Sequence, residues 1–314
     1  MNDLTQLDEP VEIAQSMREE IRRVSHGTRA RRILISRIMT SLCALALVIA
    51  AVPLVLLLWQ LIQRGAPQLT GTFFTKVPST PTLIAPNATG GLSNAIIGSI
   101  ALNIYAAIMA IPIGVLVGIY LAESTSKFAS SLRIIAQTMA GAPSILMGLF
   151  AFSFVLQDLH VGFSAIAGSF ALAVLMLPVI IISTEIAVLN VPNTLREAGL
   201  ALGAKPHKVS LRVVLPSALT GIVTGSILAI SRAIGETAPV LLVIGGGYLN
   251  SWQPLNPVSA LPLSIYENAK SEWPSQRAQV WGAALLLVTF VFILSLTARV
   301  WASRKQKVSN QWRK

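Results

Sequence analysis

An all-α integral membrane protein with six transmembrane helices is the fold class this sequence predicts, and three observations carry that expectation. The 314 residues are 54% hydrophobic and only 12% charged, with a mean hydropathy of +0.68; soluble domains carry roughly 25% charged residues. Predominantly apolar runs long enough to cross the bilayer, about 20 residues for ~30 Å of hydrocarbon, recur near 38–62, 95–121, 134–155, 163–189, 217–246 and 279–300. A transmembrane barrel would show segments of about ten residues with alternating polarity instead. The loops between the runs alternate in charge, which is the third observation. Of the 24 Lys and Arg residues, 19 fall in the two tails, counting Arg299 at the end of the last span, and in the second-to-third and fourth-to-fifth loops, and four (Arg64, Lys76, Lys270, Arg277) fall on the opposite side. By the positive-inside bias both termini are expected in the cytoplasm.

The net charge of +11 is thereby a topology signal and a membrane-surface effect. A nucleic-acid reading would need a soluble basic patch with aromatic or groove-reading motifs, and none is present. Cys43 is the only cysteine, so an internal disulfide or a thiolate cluster is excluded, and His26, His160 and His207 are too scattered to suggest a metal site.

Residues 1–37 read as a cytoplasmic tail, acidic up to residue 21 and basic beyond it. The first span, 38–62, is followed by no clear small-residue cleavage site and is expected to be a retained helix. The external loop 63–94, rich in Pro, Thr and Gly, is expected to be irregular. Residues 95–301 form the transmembrane core, in which Pro112, Pro143 and Pro178 interrupt the second, third and fourth spans. The external loop 247–278 holds Trp252 and Trp273, with "SIYENAK" as a short helix, and 302–314 is a basic tail.

The loop 190–216, "NVPNTLREAGLALGAKPHKVSLRVVLP", reads as two short helices at an angle. Asn193 is suited to cap the first and Gly203 to end it in a left-handed conformation. Pro206 suits the first turn of the second helix, and Pro216 is expected to stop it before the fifth span. The spacing Glu197-Ala198-Gly199, three residues, Gly203, nine residues, Val213-Val214-Leu215-Pro216 resembles the EAA loop of ABC importer permeases. Gly199 stands where that pattern has its second alanine, and Val213 where it has isoleucine. The resemblance implies a coupling helix docked in a groove of a cytoplasmic ATPase, with Glu197, Ala198, Gly199, Gly203, Leu215 and Pro216 in the coupling segment. Such a glycine leaves a surface that a partner approaches closely. No G-x-x-x-x-G-K-[ST] loop occurs in the chain, so ATP and magnesium are expected on a separate subunit and catalysis is not expected here.

Arg232 is the one basic residue on neither side. It lies 16 residues past Pro216, about 24 Å along a helix, which puts it in the middle or outer half of the bilayer. An arginine at a helix centre costs roughly 2.5 to 3.5 kcal/mol on insertion scales, so it is not expected to face lipid. Glu236, at i+4, shares its face. The pair either neutralises itself and locks the bundle or lines an aqueous path in which the guanidinium fork receives an oxyanion through two parallel hydrogen bonds.

"ISRAIGETAPVLLVIG" (230–245), "AGAPSILMGLF" (140–150), "LPLSIYE" (261–267) and "WGAALLL" (281–287) resemble stretches of PstA-type phosphate permeases, over about residues 90–301. The likeness implies a MetI-like five-helix core and phosphate import, with Arg232 and Glu236 matching the family's intramembrane charged pair. It also implies a PstC-type second permease, a PstB-type ATPase dimer and a PstS-type external binding protein, in a prokaryotic inner membrane. The rival readings are a permease for another oxyanion, a self-contained secondary transporter, for which inverted repeats would be expected, and a membrane scaffold.

Overall fold

The computed structural model describes the backbone of residues 9–79, 82 and 90–311, and side chains within 31–302 of that range. The expectations for residues 1–8 and 312–314, and for most of 80–89 in the external loop, lie outside the described residues. The chain divides into two compact units, residues 1–60 and 61–314. The described residues are helical apart from turns, loops and two isolated bridges, Pro78 with Gly90 and Gly245 with Val258.

Helix α1 runs from Glu9 to Gly65, so the boundary expected at residue 37 is a change of composition and not a break in the helix. Within the first unit, Leu47, Ile49, Val55 and Trp59 all stand exposed, as the side chains of a helix solvated by lipid would. The segment that follows, expected to be external, is more ordered than its composition predicts. A 3₁₀ turn (Ala66–Gln68) leads into α2 (Gly71–Thr75), whose Phe73 is buried with Leu92, Ala95, Leu261 and Ala283. Burial of an aromatic ring outweighs the local turn chemistry there.

Helices α3 (Ser93–Glu123) and α6 (Ala165–Leu189) match the second and fourth expected spans. Between them the third span is broken. Helix α4 (Lys127–Ala140) and α5 (Ser144–Ala151), the latter extended by a π turn to Asp158, meet at a bend of 106°. Pro143 sits at the bend with extended backbone (φ −57°, ψ 131°) and has no N–H to carry the ladder on. Among the described residues five helices are therefore long and apolar enough to cross a membrane, and the bent pair makes a sixth if it is one span.

Helix α6 is the most buried of the spans and packs most extensively on α3 and α9 (Leu215–Ile234). Small residues on both sides let it do so. A Cβ at Gly114 or Gly118 of α3 would stand 2.7 Å from Ile180 Cγ2 or 2.5 Å from Thr184 Cβ, and one at Gly221 of α9 would stand 2.6 Å from Ala187 Cβ. In lipid, where apolar burial does not drive helices together, such close approach supplies the van der Waals contact that does. At one edge of this layer, Arg133 of α4 donates from Nε to Glu185 of α6 at 2.6 Å and from Nη2 to the Leu121 carbonyl of α3 at 3.0 Å. The bundle is completed by α7 (Asn193–Ala201), α8 (Pro206–Val209), α10 (Ala238–Leu241), α11 (Leu261–Ala269) and α12 (Pro274–Gln311).

Candidate functional site

The fifth span ends sooner than the apolar run predicts. Helix α9 stops at Ile234, Gly235 caps it, and the chain turns through Glu236 and Thr237 into α10. Pro239 accounts for the stop: a helix continued through it would lose the bond to the Gly235 carbonyl and press the proline ring against it. Arg232 consequently lies in the last helical turn and Glu236 on the corner just beyond. They keep their pairing, with Arg232 Nε 3.7 Å from Glu236 Oε1. The geometry is loose and the Arg232 side chain is 47% exposed, so most of its donors are free to take another partner. Ser231, Ala233 and Ile234 are buried, whereas Leu228, Arg232 and Gly235 at i, i+4 and i+7 are exposed. The guanidinium therefore looks out of the chain's own core.

The corner is held from behind by α5. Gly148 approaches Pro239 so closely that a Cβ would stand 2.6 Å from Pro239 Cα and 2.7 Å from its carbonyl oxygen. Two stretches some 90 residues apart, 140–150 and 230–245, thus meet at Pro239, three residues past Glu236. The stretches 261–267 and 281–287 meet at the neighbouring Phe73 cluster, where Leu261 N donates to Ser99 Oγ at 2.8 Å.

At the opposite end of α9 the loop 190–216 folds as the expected pair of short helices, with three differences. Pro192, not Asn193, occupies the N-cap position of α7, and Asn193 makes no capping bond. Gly199 is half-exposed and also serves the packing of the hairpin: a Cβ there would stand 3.0 Å from Val209 Cγ2, so the glycine lets α7 close on α8. Pro216 does not stop the second helix. A π turn, Ser210–Val214, joins α8 to α9, and the whole stretch Pro206–Ile234 is one helical segment of 29 residues, about 43 Å long. The wider turn absorbs the carbonyl that the Pro216 ring leaves unbonded. Gly203 adopts φ 76° and Pro206 opens α8, as expected.

Glu197 and Ala198 are exposed on α7, with Leu200 and Leu202 beside them at 47% and 88% exposure. Leu215 is half-buried on the Val188, Val209 and Val214 cluster, and Pro216 is exposed on the first turn of α9. The structure thus separates the expected site residues into two groups, Arg232 with Glu236 and the hairpin set, at the two ends of one helix.

One clasp was not expected. Glu123, at the end of α3, accepts from Arg196 Nη1 of α7 at 3.3 Å and from the Ser210 hydroxyl after α8, while Arg196 Nη2 reaches the Val188 carbonyl of α6 at 3.2 Å. Charge counting assigns Arg196 to a basic loop; only the fold shows that it fastens α7 to the bundle, while Glu123 also holds the second hairpin helix through Ser210. Among the described residues no cluster of His, Cys, Asp and Glu could hold a metal ion.

Residues 110–307 match the family of binding-protein-dependent transport system inner membrane components. The phosphate transport system permease protein PstA of Haemophilus influenzae is 37% identical over 273 residues, covering 86% of this chain and 95% of that protein. PstA of Xylella fastidiosa is 37% identical over 255 residues (80% and 86%), and PstA 1 of Mycobacterium tuberculosis is 34% identical over 283 (88% and 92%). In structure, an inward-facing MetNI methionine ABC transporter chain superposes with a TM-score of 0.55 at 20% identity, covering 67% of this chain and 94% of that one. That likeness establishes the fold: the helical arrangement is the MetI-like permease core. A multi-pass chain with a charged pair at one end of a long helix and a folded hairpin at the other, matched in these ways, belongs to the binding-protein-dependent inner membrane permeases of ABC importers, in the PstA phosphate permease family.

Proposed function

We propose that this chain is the subunit through which inorganic phosphate passes from an external binding protein into the cytoplasm, driven by ATP hydrolysed elsewhere. The family works with an ATPase and a binding protein. The finer partners are a PstC-type second permease, a PstB-type ATPase dimer that holds ATP and magnesium, and a PstS-type phosphate-binding protein. The membrane is the prokaryotic inner membrane, with both tails in the cytoplasm.

The observation that carries the proposal is the continuous helix Pro206–Ile234. It joins the hairpin bearing Glu197 and Ala198 to the outward-looking Arg232. Movement of the hairpin by the closing ATPase dimer is transmitted along about 43 Å of helix to the guanidinium. Arg232 binds the phosphate oxygens and Glu236, 3.7 Å away, competes for it and keeps the anion from being held too tightly. Access alternates as the ATPase state biases two conformations of the bundle.

Reconstitution of the full complex in vesicles tests this. Labelled phosphate should enter only with ATP and binding protein present, and excess sulfate should not compete; ATP-independent flux, or sulfate uptake at an equal rate, would overturn it. A second outcome follows from the clasp. Glu123→Ala should lower phosphate transported per ATP hydrolysed about fivefold, because a half-exposed ion pair and one hydroxyl bond together hold the hairpin by roughly 1 kcal/mol. Parallel uptake and ATPase assays read the ratio.

A further inference from the structure

The end of the bundle opposite the hairpin carries a second group of cations that the transport path does not use. Arg64, at the end of α1, and Arg277, in the opening turns of α12, line one open cavity of about 430 Å³ together with Gln68, Pro274, Ala278 and Trp281. None of the ion pairs among the described residues involves either arginine. Arg64 stacks its guanidinium 5.0 Å from the Trp281 ring centroid, which orients the group without neutralising it. Arg277 uses Nη1 on the carbonyls of Ser271 (2.8 Å) and Glu272 (3.1 Å), leaving Nε and Nη2 free. A cation in the opening turns of α12 also works against the positive end of the helix dipole, so the local potential is strongly positive.

The cavity is built and not a chance meeting of long side chains. Gly65 and Gly282 bring the two walls together: a Cβ at Gly65 would stand 2.6 Å from the Trp281 carbonyl oxygen, and one at Gly282 would stand 2.8 Å from Gln68 Cβ. Burial of Phe73 beside Gly282 holds the segment after α1 on α12. Two guanidinium groups, an amide and an indole are thereby fixed around one opening at the end of apolar helices. That is the chemistry of a phosphate-bearing anion: planar forks for its oxygens and an amphipathic ring at the depth of a headgroup.

We propose that the cavity between Arg64, Gln68, Arg277 and Trp281 is a binding site for a phosphate anion, supplied either by an anionic lipid headgroup or as inorganic phosphate. It lies apart from Arg232 and does not rest on the transport reading.

The test uses the whole complex in neutral detergent, titrated separately with short-chain phosphatidylglycerol, inorganic phosphate and phosphatidylcholine, with the thermal midpoint as readout. Wild type is compared with Arg64→Gln, Arg277→Gln and the double variant, all of which keep Arg232. Apparent affinity for the true ligand should fall about fivefold in each single variant and on the order of twentyfold in the double, while phosphatidylcholine stays without effect. Loss of the phosphatidylglycerol response identifies a lipid headgroup, and loss of the inorganic phosphate response alone identifies the free ion. Equal affinities for both anions in wild type and double variant would overturn the site. Should the double variant fail to assemble, unaltered complex decides: the response must weaken as ionic strength rises, and a salt-independent response equally overturns the proposal.

Discussion

Replacing Arg232 with alanine is expected to lower phosphate uptake by the reconstituted complex about a hundredfold, with the complex still assembled. The side chain is 47% exposed and contributes little to this chain's packing, so its removal costs the fold little. On the proposed mechanism, what is lost is charged hydrogen bonding to the anion. One such bond contributes about 1.5 to 3 kcal/mol and a guanidinium fork makes two, so roughly 3 kcal/mol, or two powers of ten in rate, is the expected deficit. Arg232→Lys should recover part of it, because the charge remains and the fork does not. Glu236→Gln should tighten apparent phosphate affinity while slowing release, since the competing carboxylate is gone. Uptake of labelled phosphate, normalised to ATPase subunit retained on purification, measures all three. Wild-type uptake by Arg232→Ala would return the pair to a purely structural role.

The second large effect is expected from Gly148→Val. The new side chain would meet the backbone of Pro239, at 2.6 Å from its Cα and 2.7 Å from its oxygen, and no rotamer change relieves a clash between Cβ and backbone. Overpacking of this kind costs about 1–3 kcal/mol, and here the upper end applies because both partners are main chain. The thermal midpoint should drop, and uptake per folded complex should fall too, since α10 is pushed off α5 and takes the Glu236 corner with it. A valine variant with normal stability and uptake would show that α5 does not support the charged corner. Gly148→Ala, with the same Cβ and nothing beyond it, should fall between the two.

Much of this architecture is legible in the residues themselves. Length and apolarity of the runs mark the spans because a helix crossing ~30 Å needs about 20 residues whatever its neighbours are. Gly203 and Pro206 mark the hairpin turn because only local backbone chemistry is at stake there. Arg232 and Glu236 read as neighbours because four residues make about one helical turn. The same local logic misplaces Pro216, since a π turn before a proline is as compatible with the sequence as a helix end. It also runs the fifth span to residue 246 although the helix ends at Ile234, because apolar composition does not distinguish a helix from the buried turn that follows it. The Glu123 clasp on Arg196, bridging 73 positions, has no local signature at all.

The sequence by itself therefore determined the membrane class, the apolar runs that become the long helices, the hairpin and the nearness of Arg232 to Glu236, all properties that depend on composition or on residues within a turn of one another. Only the tertiary structure decided that α4 and α5 bend by 106°, that Gly148 lies on Pro239, and that hairpin and charged pair occupy two ends of one uninterrupted helix. Those outcomes depend on which surfaces meet across the bundle. In lipid, where every apolar face is equally at home, close packing of small residues makes that choice, and it is a property of pairs of helices that no single stretch contains.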